Sequence, residues 1–152
     1  MCYNVYMDIL SKFSENLKLL MAEQGINPPA LAKILNTDRT NVTRYLRAER
    51  LPLFDGFVKI LEYFNVSADV MLGLCEYVEY SEYLPVTDFS ARLKCVMKET
   101  NTSQYSIERT LGVSGSSIYN WLHSKTLPSV ESLVKLANFM QVSVDYLLGR
   151  IK

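Results

Sequence analysis

Four arginines crowd one short window: Arg39, Arg44, Arg47 and Arg50. A guanidinium is always charged and presents a planar fork of donors, so it suits partners that offer paired acceptors. Thr40 and Thr43 share that window, and the matching window of the C-terminal half holds Gly115, Ser116, Tyr119, Asn120, His123 and Lys125. These are groups for binding rather than for making bonds. Catalysis is not expected. The lone His123 has no cysteine or serine partner in a known arrangement, and no carboxylate cluster or phosphate-cradling glycine loop occurs. Cys2, Cys75 and Cys95 show no C-x-x-C spacing, so a zinc site is not expected and the cysteines read as reduced thiols of a cytoplasmic protein. No cofactor is implied.

The elements that position these residues are repeated. Phe13 to Leu74 aligns without a gap onto Phe89 to Arg150, an offset of about 76 positions. Phe13-Ser14 falls on Phe89-Ser90, Leu51-Pro52 on Leu127-Pro128, and Val66-Ser67-Ala68-Asp69 on Val142-Ser143-Val144-Asp145. Many other pairs set apolar against apolar, the pattern of a shared core. The chain therefore reads as two copies of one small domain: residues 1–74 with an extension at 1–12, a linker at 75–87, and residues 88–152. Each copy is near the lower size limit for folding alone, so the copies are expected to lean on each other or on the linker. The formal net charge is zero, partly because the connecting stretch (Glu76, Glu79, Glu82, Asp88) is acidic and has no base. No apolar run approaches a membrane-spanning length, and Met1 to Leu10 lacks the basic start of a signal peptide.

The spacing predicts an all-α fold with five short helices per copy. In the second copy Asp88, Ser103, Ser114, Ser129 and Ser143 stand as N-caps, and Gly112 and Gly149 as C-terminal stops. Asp145 falls in the first turn of the last helix, where the dipole favours an acid. The first copy keeps the plan with other residues. Asn27 caps helix two with Pro28 behind it, Asn36 replaces the turn glycine, and Asp38 caps helix three. Leu53 replaces the cap Ser129, so helix four is expected to begin less sharply there. Tyr45 and Trp121 read as core packing rather than stacking platforms.

Helix two, a short turn and helix three form the plan of a helix-turn-helix. Ser103-Gln104, Leu111-Gly112-Val113-Ser114 and Ile118-Tyr119-Asn120-Trp121 resemble the phage lambda-type repressor and Cro family, also called the XRE family. So does the tail Val142-Ser143-Val144-Asp145-Tyr146-Leu147-Leu148-Gly149. The first copy is similar more loosely, through Leu31-Ala32, Leu35-Asn36-Thr37-Asp38 and Val42-Thr43-Arg44-Tyr45. The resemblance implies two tandem five-helix lambda-repressor-like domains, double-stranded DNA as partner, and helix three in the major groove. It implies base-reading positions at Arg39, Thr40, Thr43 and Arg44, where arginine suits guanine and a threonine methyl suits thymine. The second copy's counterparts are Ser116, Tyr119 and Asn120, with Asn120 suited to adenine. Gly115 has no side chain to read with, and the two copies should prefer different bases. Phosphate contacts are expected from the start of helix two (Asn27, Ser103, Gln104) and the loop after helix three (Arg47, Arg50, His123, Lys125). Pro28 departs from the family's frequent glutamine.

The linker's glutamates recur every third residue, as do Tyr77, Tyr80 and Tyr83. The tyrosines are expected to cover apolar domain surface, with a homodimer surface as the alternative. About 14 residues reach roughly 46 Å extended but about 21 Å as a helix, against about 34 Å between recognition helices on successive turns of DNA. The alternative function is a protein-binding module of the antirepressor or antitoxin-like kind, favoured by neutral charge, Gly115 and Pro28. No small-molecule effector domain is visible, and RNA binding is disfavoured for want of an aromatic or basic platform outside the motifs.

Overall fold

The computed structural model describes residues 5–79 and 82–152. The expectations for Cys2 and Tyr80 fall outside the described residues. Those residues form α-helices and loops with no strand, in two compact units, residues 1–81 and 82–152. None of these helices is long and apolar enough to cross a membrane.

Unit 1 holds α1 (Val5–Gln24), α2 (Pro28–Leu35), α3 (Arg39–Leu46), α4 (Phe54–Phe64) and α5 (Ala68–Met71). The extension at 1–12 is not a separate arm: from Val5 it is the start of α1, and Ile9 and Leu10 are buried with Phe13 and Leu17. Where unit 2 has the cap Asp88, unit 1 has Lys12, which does not interrupt a helix. Asn27 caps α2 by accepting from the Ala30 N–H, and Asn36 ends it in the left-handed region at φ 54°. Asp38 stands at the N-cap of α3 but makes no capping bond; the nearby side-chain bond runs from Asn41 Nδ2 to Thr37 Oγ1. Leu53 likewise gives α4 no side-chain cap. Even so, α4 starts at the position equivalent to the start of α9, contrary to the expectation of a blurred beginning. Phe54, Phe57 and Ile60 are buried, and their packing fixes the start.

Unit 2 repeats the order with α6 (Phe89–Glu99), α7 (Gln104–Leu111), α8 (Gly115–Leu122), α9 (Val130–Met140) and α10 (Val144–Leu147). Its five expected caps all accept from the first turn of their helices. Ser103 forms a reciprocal capping box with Ser106.

The turn geometry obeys the same offset as the sequence repeat. Positive φ occurs at Gly25, Asn36, Ala48, Asn65 and Gly73, and again at Asn101, Gly112, Ser124, Gln141 and Gly149. The side-chain ties that hold α3 and α5 in unit 1 and α8 and α10 in unit 2 also correspond. Ser14 Oγ donates to the Leu46 carbonyl, and Ser90 Oγ to that of Leu122. Asn16 Nδ2 donates to the Val70 and Met71 carbonyls, and the Arg92 guanidinium to that of Tyr146. Each donor satisfies carbonyls at a helix C-terminus, which lack intrahelical partners.

The boundary between the units falls inside the expected linker, and residues 75–79 and 82–88 are not helical. Tyr77 is 76% exposed, so it does not cover apolar surface. Tyr83 does pack, with its ring centroid 4.2 Å from the Arg150 guanidinium, while the Leu84 N–H donates to the Arg150 carbonyl at 2.7 Å. The latter part of the linker thus completes unit 2.

Candidate nucleic-acid interface

In unit 1, α2 and α3 are joined by Asn36, Thr37 and Asp38. Val42 and Tyr45 turn α3 onto the core, with the Tyr45 ring edge-on to Phe13 at 6.3 Å. That burial fixes the helix's rotation and leaves Arg39, Thr40 and Arg44 exposed. Thr43 is half-buried, and its hydroxyl donates to the Arg39 carbonyl at 3.1 Å, so only its methyl is open for apolar contact. Arg47 follows with its side chain 70% exposed and only a 4.0 Å approach to Glu49. Arg50 is half-buried beside Tyr45. Burial raises the Tyr45 phenol above its ordinary pKa, while the Arg50 charge pulls it down. The surface of α3 and the following loop is therefore basic, with charges free enough to meet phosphate oxygens.

The start of α2 corrects one expectation. Pro28 and Pro29 have no N–H, the Ala30 N–H is taken by Asn27 Oδ1, and that of Leu31 by the Asn27 carbonyl. The helix start therefore offers a phosphate no backbone donor at these positions, and the side-chain oxygen of Asn27 is engaged.

In unit 2 the turn is Gly112, Val113 and Ser114, and Ile118 and Trp121 are the buried residues of α8. Ser116 is exposed and Asn120 half-exposed, both on the side away from the core. Tyr119 is 44% exposed, but its ring is already engaged. His123 stacks on it at 3.9 Å, its Nδ1 sits 2.8 Å from the Tyr119 carbonyl, and Lys125 Nζ lies 5.1 Å from the ring centroid. These three residues, expected to act separately as one base reader and two phosphate contacts, form a single stacked cluster. The i, i+4 spacing of Tyr119 and His123 is the signal that sequence reading passed over.

Gln104 makes a contact beyond the one expected of it. Its Nε2 donates to the Gly115 carbonyl at 3.2 Å, bracing the start of α7 against the start of α8. Ser103 Oγ is occupied by the Ser106 N–H. The second Nε2–H of Gln104 and the backbone N–H groups of the first turn of α7, which lack intrahelical acceptors, are the donors left for a phosphate. Gly115 gains a reason of its own: a Cβ there would lie 3.0 Å from Glu108 Oε2. Glu108 was not singled out in the sequence, although it puts an acid where unit 1 has Ala32.

A helix-turn-helix family model matches residues 93–147, running from within α6 to the end of α10 and covering α7 and α8 entire. No curated protein and no solved structure matches the chain.

Proposed function

We propose that the chain is a sequence-specific double-stranded DNA-binding transcriptional regulator of the repressor type, acting by binding and not by catalysis. The observation that carries the reading is the helix-turn-helix match across α7 and α8. The repeated turn geometry supports extending it to α2 and α3 of unit 1. In this reading α3 and α8 enter major grooves. Arg39, Thr40 and Arg44 read one half-site, and Ser116 and Asn120 another of different sequence, while Arg47, Arg50 and Lys125 hold phosphates.

The Glu108 carboxylate against Gly115 supports a second reading for unit 2 alone. An acid beside the start of α8 opposes an approaching phosphate, and α8 itself carries no cation. Unit 2 would then dock a protein while unit 1 reads DNA. Selection of bound duplexes from a random pool separates the readings, run with the parent chain, Arg39→Ala and Asn120→Ala. Two unlike half-sites, each altered by one substitution, support DNA reading by both units. A single half-site altered only by Arg39→Ala supports the second reading. A pool no richer than background overturns both.

A further inference from the structure

We propose that unit 1 holds a binding site for the phosphoryl group of a small ligand, in a cavity of about 230 Å³ where the end of α2, α3 and the first turn of α4 meet. Three of the residues that line it carry donors: Arg50, Lys59 and Tyr45. Tyr45 is only 6% exposed, and among the described residues its hydroxyl has no hydrogen-bond partner. Burial raises its pKa, so at neutral pH it remains a protonated donor. Arg50 makes no ion pair among the described residues, and Lys59 makes one long hydrogen bond, 3.4 Å to the Leu35 carbonyl. Asp55 also lines the cavity and opposes an anion, but it forms no ion pair with either cation, and the two positive charges outweigh it.

Unit 2 supplies an internal control, because two of the equivalent groups there are already satisfied. Ser129 caps α9 by accepting the Ser132 N–H, whereas Leu53 offers the equivalent Gly56 no acceptor. Lys135 is paired with Glu131 at 3.3 Å, whereas Lys59 is not paired with Asp55. Trp121 stands for Tyr45 and Thr126 for Arg50. Four departures converge on one spot: three add a donor or leave one open, and the fourth puts a hydroxyl where unit 2 has an indole N–H. A tetrahedral oxyanion with several acceptor oxygens is the chemistry that uses them together. Arg50 is shared with the DNA-binding reading, whereas Tyr45 and Lys59 are not, and the site can be tested without DNA.

The test follows ¹⁵N-labelled full chain by NMR while inorganic phosphate is added, against sodium chloride at matched ionic strength. Saturable shifts are expected at the amides of Asp55 and Gly56, with none at the equivalent Glu131 and Ser132. Tyr45→Phe, which keeps the ring, should weaken binding about fivefold, and Arg50→Gln about tenfold. Arg50 is half-exposed, so its variant decides the matter even if Tyr45→Phe misfolds. Shifts that do not saturate, that match those of chloride, that appear alike in both units, or that persist in both variants overturn the proposal. So does a cavity that responds to a short DNA duplex but not to free phosphate, because the site would then be a backbone contact.

Discussion

Arg150 and Asp145 form a buried ion pair at 2.6 Å, with side chains 1% and 0% exposed, and their loss should cripple unit 2 selectively. Arg150→Met keeps most of the buried volume but strands the Asp145 carboxylate without its cation. Breaking a buried pair from one side costs about 3–5 kcal/mol. A unit of this length has a total stability of roughly 4–10 kcal/mol at ~0.05–0.15 kcal/mol per residue. The substitution therefore removes about half of that stability or more. The chain contains one tryptophan, Trp121, which lies in unit 2 and is 6% exposed, so its fluorescence reports that unit. In urea, with a slope near 1–2 kcal/mol per M, the Trp121 midpoint should fall by at least about 2 M, or the unit should be unfolded without denaturant. Helical signal from unit 1 should persist. Asp145→Asn combined with Arg150→Met removes the stranded charge and should recover about 2 kcal/mol relative to Arg150→Met alone. A midpoint within about 0.5 M of the parent refutes the argument. So does a double variant no better than the sum of its singles.

Three further outcomes are expected. Arg44→Ala should weaken binding to a selected DNA site by about 1–3 kcal/mol and relax one base position, whereas Arg47→Ala should lower affinity for all sequences and reduce the salt slope by about 0.9; filter binding across a salt series compares them, and identical signatures would remove the distinction. Leu53→Ser should stabilise unit 1 by about 1 kcal/mol, because the exposed leucine loses little and the hydroxyl can accept the Gly56 N–H as Ser129 does for Ser132; circular dichroism in urea reads the gain, and a loss would contradict it. The Tyr146 hydroxyl donates to Glu99, with help from Cys95 and Arg92, and this holds the Glu99 carboxyl below its ordinary pKa. Its contribution to stability is full above the ordinary glutamate value and is lost as pH falls through the lower folded value, so Glu99→Gln should flatten the acid limb of unit 2's stability profile, and an unchanged limb would count against the contact.

The sequence made local features legible and left cross-element ones hidden. Ser103, Ser114, Ser129 and Ser143 act within three residues of themselves, so their capping was readable from spacing alone. Asn36 was readable for the same reason, since a tight turn needs a left-handed residue at one definite place. Asp38 shows the limit: it has the right type and position, but Asn41 bonds to Thr37 and the aspartate makes no capping bond. Asp145 was read as a dipole partner, but its burial against Arg150 depends on how the chain after α10 folds back, which no periodicity reveals. The bracing role of Gln104 is hidden in the sequence because its partner, Gly115, lies 11 residues away in the next helix. Among the base-reading candidates, exposure followed from helical phase, since Val42, Tyr45, Ile118 and Trp121 had to face inward. What those side chains do once exposed did not follow, as the stacked Tyr119, His123 and Lys125 demonstrate.

The family match and the helix with more exposed cations fall on different units, and the reason is physical. Much of what makes unit 2 similar to the helix-turn-helix pattern serves folding: the caps Ser103 and Ser114, the left-handed Gly112, and the tail from Val142 to Gly149. None of these reads a base. Unit 1 departs at such positions, with Pro28 for Gln104, Asn36 for Gly112 and Leu53 for Ser129, yet each replacement preserves the local backbone. Asn36 holds φ 54° where Gly112 holds 65°, and α4 and α9 begin at equivalent residues. A pattern of caps can therefore fade while the turn it specifies survives. Gly115 apart, the outward positions of α3 and α8 are under no such constraint, and there unit 1 carries Arg44 where unit 2 carries Asn120. Similarity to the pattern measures how the two helices are held, whereas the charge on the second helix decides what they can grip.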